Sequence, residues 1–385
     1  MLKDILYKTL LLAAVGIACA ACSQEDGAAA GAGGGEGVSI QVRIADAPAT
    51  RATEPGWDDG WNENTIERLD IFQFAANGGL KGRFSASNLP SFTSQNTAFQ
   101  EVTVNDLTYS ELADNTTDVF YMVANCPQLE NEEIKNLDGL MALTATPTLK
   151  LDEKQGAFAM DGKGVLVVDA GNKTATLSFE LARAAVKIRM AVTDNNGSSI
   201  IDRCSYQLNN YVLTPTSALS EGELYGKGTN QRLESMAEFG NAKLTNDGKA
   251  VFYSYPNDWF DESLLTPDGT FADPVIYTKD DLIDEEKQTY IMLKAPYTDG
   301  NTYYYKVPVN FTMADNSDKD GFTAAEIETL RSGYYRINRN CLYDITVTID
   351  RAGGPLTEPV TPQFHIRVND WQKGGDYNIG QGEFE

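Results

Sequence analysis

The chain has 385 residues, 42% of them apolar and 10% aromatic, with 31 basic against 55 acidic residues and a formal net charge of −24. That length accommodates two domains, each with its own core, while so negative a surface excludes nucleic acid and anionic lipid as charge-driven partners. The single histidine, His365, limits any histidine-based catalytic arrangement to that one residue.

Lys3 and Lys8 flank the start of an apolar run over residues 9–21, the charged and hydrophobic regions of an export signal. The run is too short to span a bilayer as a mature helix. It ends Ala20-Ala21-Cys22-Ser23, which resembles a bacterial lipobox, cut before a cysteine that receives a diacylglyceryl group. Cys19 stands where that motif usually has Leu, so cleavage before Cys19 competes with the favoured cleavage before Cys22; the alternative is an ordinary secretory signal, which leaves small residues before the cut and needs no cysteine. Residues 23–26, Ser-Gln-Glu-Asp, resemble the acidic tag that sends lipoproteins to the outer face of the outer membrane. Residues 27–37 form a Gly/Ala tether. Val38, Ile40, Val42 and Ile44 then alternate with Ser39, Gln41 and Arg43, which predicts a strand with one buried face. Pro48 and the run Ala49-Thr50-Arg51-Ala52-Thr53 read as an extended loop presenting Arg51.

Strand signals continue from Ile66. IERLDIFQF, a turn at Asn77-Gly78-Gly79 and LKGRFSAS predict a hairpin. Residues 98–104 and 118–124 predict further strands, and residues 130–143 a helix carrying Ile134, Leu137, Leu140, Met141 and Leu143. Residues 164–168 and 174–181 return to strand. Residues 181–190 read as one strand whose inward Val186, Ile188 and Met190 alternate with basic residues, with a domain boundary near Arg183. In the second half, residues 201–213 are strand-like, residues 289–295 and 302–312 pair across Asp299-Gly300-Asn301, residues 324–331 form a short helix, and residues 334–349 a long β region. The last strand, residues 362–371, sets Phe364, Ile366 and Val368 on one face, and a Gly-rich tail ends the chain. Ile71, Phe74, Val123, Val186, Ile188, Ile345 and Val347 are the expected core.

Residues suited to chemistry are few. His365 sits between Phe364 and Ile366, as a half-exposed strand residue does. Cys126, Cys204 and Cys341 remain after the signal cysteines and lack metal-ligand spacing, so they form at most one disulfide or stay as buried thiols. Residues 315–321 resemble a calcium loop, but with Gly321 at its sixth position the twelfth is Ile327, where a bidentate Glu is required. A solvated acidic turn is the simpler reading. Asp58-Asp59 is one of many carboxylate pairs, and Trp57 and Trp61 fit the capping of a sheet end.

ERLDIFQF with NGGL, then FYMVANCP, LARAAVKIRM and YYRINRNCLYDITVTID, behind the lipobox-like cysteine and the TRAT arginine, resemble the type V fimbrillin superfamily. These are two-domain pilus proteins of anaerobic Gram-negative bacteria, and the resemblance covers nearly the whole mature chain. It implies an all-β fold with few short helices: two transthyretin-like β-sandwich domains in tandem, here residues 52–183 and 184–385. Ahead of them stand a signal peptide (1–21) and a lipidated tether with a removable strand (22–51). It also implies acylation of Cys22 and cleavage between Arg51 and Ala52 by an arginine-specific protease. The strand of Val38, Ile40, Val42 and Ile44 is then displaced, and a neighbour's C-terminal strand, here that of Phe364, Ile366 and Val368, replaces it. The implied partners are other pilus subunits, joined head to tail, the outer membrane through the lipid before processing, and the protease. The implied role is structural, in a surface fimbrium that supports adhesion, with no enzymatic activity, cofactor, metal or nucleic acid. The alternative is a surface glycan-binding lipoprotein that keeps its anchor and uses Trp57, Trp61 and Trp259 as an aromatic platform. A hydrolase needs a convergent acid/base cluster, which no motif supplies.

Overall fold

The alternating segments are strands in the computed structural model, which describes residues 37–44, 63–92, 98–126, 129–130, 133–141, 148–153, 155, 157–214, 233–241, 243–261, 282–310, 323, 325–327, 333–370 and 376–382. The fold is all-β. Its first part comprises β1 (Gly37–Ile44), β2 (Leu69–Phe74), β3 (Leu80–Ser85), β4 (Gln100–Val102), β5 (Val119–Ala124), β6 (Met160–Asp169) and β7 (Thr174–Arg183), joined in the order β3-β2-β5-β6-β7-β1-β4. β2 and β3 form the expected hairpin, with Gly78 supplying the positive φ that its turn requires.

This sheet changes layer at β6. Met160 to Lys163 pair with β5, whereas the strand beyond Gly164 pairs with β7 alone among the described residues. The crossover needs a residue without a side chain: a Cβ on Gly162 would lie 2.1 Å from the Glu180 carbonyl oxygen. Such sheet-switching strands make the corners of sandwiches. On β7, Ala175, Leu177, Phe179 and Leu181 are buried while Thr176, Ser178 and Glu180 face outward, the pattern of a sheet with one wet face.

The second part begins with β8 (Val186–Asp194), β9 (Ser205–Tyr211), β10 (Glu234–Ser235), β11 (Ala250–Ser254) and β12 (Asn257–Asp258). It continues with β13 (Tyr290–Pro296), β14 (Thr302–Pro308), β15 (Arg336–Ile337), β16 (Cys341–Ile349), β17 (Gln363–Asp370) and β18 (Asp376–Gly382). A four-stranded sheet, β10-β9-β13-β14, faces a five-stranded one, β11-β8-β16-β17-β18, and both line one hydrophobic cluster, while β12 pairs with β15. Ile71, Phe74 and Val123 belong to the first cluster and Val186, Ile188, Ile345 and Val347 to the second, all fully buried.

Several expectations change. Residues 181–190 are two strands, not one: β7 ends at Arg183, and the first cluster gives way to the second between Ala185 and Val186. Lys187 and Arg189, expected on a wet face, are buried, because Glu63 and Asp344 neutralise them there. The helix over residues 130–143 shrinks to α2 (Leu137–Met141), since residue 136 bridges to Gly79 instead of continuing the helix toward the N-terminus. An unforeseen helix, α1 (Tyr109–Asp114), carries a full capping box in which Thr108 and Glu111 satisfy each other's backbone N–H groups. The strand over 98–104 is confined to β4, and the tail contains β18. Of the expected helix over 324–331, the described residues 325–327 are helical, with Ile327 buried.

Candidate functional site

β1 occupies an interior place in its layer. Parallel pairing with β7 runs its whole length, from Gly37 opposite Thr174 to Ile44 opposite Leu181. On the other side, Ile40, Gln41 and Val42 pair antiparallel with Val102, Glu101 and Gln100 of β4. The alternation read in the sequence fixes which way it faces. Ile40, Val42 and Ile44 are 3%, 0% and 2% exposed, and Val38 packs half-buried against the same cluster. Each apolar side chain sits beside an apolar β7 partner, Val38 by Ala175, Ile40 by Leu177, Val42 by Phe179 and Ile44 by Leu181. Three full burials at roughly 1.5–3 kcal/mol each amount to ~5–9 kcal/mol gross.

The outer face of β1 is held weakly. Ser39 Oγ donates to Glu101 Oε1 at 2.8 Å, Arg43 Nη2 donates to Glu180 Oε2 at 2.6 Å, and the Arg43 guanidinium lies 4.7 Å from the Phe99 ring centre. All are solvent-facing contacts of the kind that contribute about 0–1 kcal/mol. The seat is therefore selected by its apolar row and its backbone ladder rather than by specific polar locks.

The chain re-enters at Glu63 under much tighter restraint. Arg183, fully buried, donates through Nε and Nη2 to the Glu63 carbonyl at 3.3 and 3.2 Å, and through Nη2 also to Asn64 Oδ1. The Glu63 carboxylate accepts from Lys187 Nζ at 2.6 Å and from the Tyr253 hydroxyl. Asn125, with a φ of 58°, accepts from the Glu67 amide at 2.8 Å and donates to the carbonyls of Thr65 and Phe158 at 2.9 and 2.7 Å. Residues 63–67 are thus fastened by groups from both β7 and β8 and from the end of β5, independently of β1. No sequence signal marked Glu63, but Arg183 and Asn125 lie within LARAAVKIRM and FYMVANCP, two of the motifs that carry the family resemblance.

The remaining expected residues are dispersed. Cys22, Arg51 and Ala52, like Trp57, Trp61 and residues 315–321, lie outside the described residues. Phe364 and Ile366 are buried in the second cluster on β17, which pairs with β16 on one side and β18 on the other; the backbone of Val368 lies on the same strand. His365 is half-buried opposite Thr346. Cys126 and Cys204 are buried thiols, each pushed up to about 12 by burial, and Cys341 is half-buried on β16. Trp259 is fully buried, which removes it from any exposed aromatic platform.

No model of a protein family matches the chain, and no curated protein does. Among solved structures it is similar to a candidate cell adhesion protein from Parabacteroides distasonis, at 14% identity over 88% of this chain and 97% of that one, with a TM-score of 0.48. It is similar to the fimbrilin FimA of Porphyromonas gingivalis, at 15% identity over 87% of this chain and 97% of that one, TM-score 0.46. It is also similar to the tip fimbrial protein Mfa3 of the same organism, at 13% identity over 86% and 97%, TM-score 0.42.

Proposed function

We propose that this chain is a structural subunit of a cell-surface pilus. In this reading it is exported as a lipoprotein acylated at Cys22, cut between Arg51 and Ala52, and assembled when a strand of the next subunit takes the seat of β1. The observation that carries the reading is how β1 is held. It is the only described strand ahead of Arg51, it fills an interior place in a sheet otherwise built from residues after Arg51, and its seat is apolar and ladder-based. Withdrawing it exposes the β7 edge, isolates β4 and uncovers an apolar groove, a state that pairs readily with any complementary strand. Residues 63–67 stay fastened by Arg183, Lys187 and Asn125, so a cut after Arg51 separates the arm without loosening the sheets beyond it.

The donor in this reading is β17, eight residues long like β1, with Phe364, Ile366 and Val368 in alternation. Donor and acceptor lie on different sheets, so the contact is head-to-tail and builds a filament rather than a closed dimer. Nothing favours the glycan-binding alternative, since Trp259 is buried. The deciding experiment is N-terminal analysis of surface-assembled protein: Ala52 identifies a processed subunit, whereas acylated Cys22 identifies a retained anchor. Arg51→Ala is expected to be exported and lipidated yet to remain monomeric beside an arginine-specific protease. Undiminished polymer from that variant removes Arg51 from the mechanism.

A further inference from the structure

We propose that β17 of a second copy of this chain enters the β1 seat in one register, parallel to β7, with Arg367 in the place of Arg43 and Glu180 as the residue that sets the choice. This register presupposes the strand exchange proposed above and specifies its contact. Residues 39–44, Ser-Ile-Gln-Val-Arg-Ile, and residues 363–368, Gln-Phe-His-Ile-Arg-Val, share one pattern, with an arginine at the fifth position of each. Laid over β1, Phe364, Ile366 and Val368 fall beside Leu177, Phe179 and Leu181 of β7, the partners that Ile40, Val42 and Ile44 have now. His365 falls where Gln41 stands, opposite Glu101 of β4. Arg367 falls where Arg43 reaches Glu180 at 2.6 Å and lies 4.7 Å from the Phe99 ring centre.

An apolar row of period two selects a face but not a register, because a slip of two residues returns the same face to the groove. The outer row has to choose, and its two walls are acidic: Glu101 on β4 and Glu180 on β7, both exposed. In the proposed register His365 meets Glu101 and Arg367 meets Glu180. A slip one way moves Arg367 to Glu101 and leaves Glu180 beside Asn369; a slip the other way sets His365 beside Glu180 and Gln363 opposite Glu101. Reversed entry also meets both acids, with Arg367 at Glu101 and His365 at Glu180, but it takes the guanidinium away from Phe99. Outer pairs of this kind are individually weak, which suits a choice among registers on a seat already favoured by its apolar row. β17 also leaves no anion stranded behind it. Residue 367 is paired in register with Asp344 in its own sheet, and Asp344 keeps Arg189 and Lys249 when the strand departs.

The test follows polymerisation of the processed chain at low salt. Arg367→Glu and Glu180→Lys should each slow it about tenfold, by setting like charges side by side, and the chain carrying both should return to within about threefold of the parent. Recovery in the doubly substituted chain separates lost pairing from a damaged β17, which a change on β7 cannot repair. Orientation is read by cross-linking. A chain with Glu180→Cys and Arg367→Cys should give a ladder of disulfide-linked subunits after processing, above the parent's background, because adjacent strands lie ~5 Å apart. A chain with Glu180→Cys and His365→Cys should give none, its cysteines being diagonal at ~7–8 Å. A ladder from the His365 chain in place of the Arg367 chain overturns the register in favour of reversed entry. Parent polymer that forms normally while the charge substitutions change nothing and neither chain cross-links overturns the register and leaves strand exchange standing. Processed parent that never polymerises removes the exchange itself, and the register with it.

Discussion

Asp344 sits on β16 between Arg189, whose Nη2 is 2.9 Å from its Oδ2, and Lys249, whose Nζ reaches both carboxylate oxygens at 2.9 and 2.8 Å. Burial pushes this carboxyl up, but the two cations outweigh burial and hold it below the ordinary carboxylate range. A depressed folded-state value means the ion pairs stabilise the fold above the unfolded carboxyl's range, near pH ~4, and that this stability is lost as pH falls through the folded value. Asp344→Asn should therefore cost on the order of 2–3 kcal/mol at pH 7, since buried Arg189 loses its anion at 2.9 Å and keeps the more distant Asp247 at 3.6 Å. It should also flatten the loss of melting temperature between pH ~5 and ~3; an unchanged acid profile would show that the triad does not govern it. Asn125 makes a second residue-scale case, since its side chain joins the backbone at Thr65 and Glu67 to that at Phe158. Asn125→Ala removes three hydrogen bonds, one buried and two partly buried, and places Ala at a φ of 58°, and should cost roughly 2–4 kcal/mol in urea unfolding.

At the scale of elements, β1 offers an internal reporter of its own docking. Arg43 lies within the strand, so trypsin cuts after it only when β1 leaves its seat. Val42→Asp puts a carboxylate into the apolar row beside Phe179, and a loss of ~3 kcal/mol in docking should speed cleavage after Arg43 about 100-fold while Arg189, buried on β8, stays protected. Equal cleavage in the parent and the variant would mean that β1 is not held as the ladder implies. This strand is legible in the sequence because four aliphatic residues in strict alternation are ambiguous only in partner, and the β2–β3 hairpin is legible through its Asn-Gly turn. The break within residues 181–190 is hidden because Lys187 and Arg189 look solvent-directed until their anions are known, and those come from positions 63 and 344. α1 has a readable signal, Thr108-x-x-Glu111, but no long apolar period to draw attention to it. The extent of α2 is not legible because apolar residues at helical spacing do not report that Gly79 bridges to residue 136.

The two halves of the molecule are interlocked as well as consecutive. β11 gives Val251 and Tyr253 to the first hydrophobic cluster and Ala250 and Phe252 to the second, and Arg339, from the second half, binds Asp161 and the carbonyls of Ala182 and Arg183. Within this interlocked molecule the C-terminal strands separate two ways of donating a strand. β17 is paired on both sides, and Phe364 and Ile366 are core residues, so releasing it opens the five-stranded sheet at β16. β18 is an edge strand, held only by β17 among the described residues. Truncation from Asp376 should therefore leave the thermal melt close to that of the parent, whereas truncation from Gln363 uncovers Ile345 and Val347 and should lower the melt substantially, two buried side chains representing ~3–6 kcal/mol gross. Polymerisation of processed subunits then assigns the donor. If the chain ending before Asp376 still polymerises, β17 donates and must leave its own sheet during assembly. If it terminates chains while keeping its melt, donation runs through β18, and β17 remains a fixed member of the second sheet.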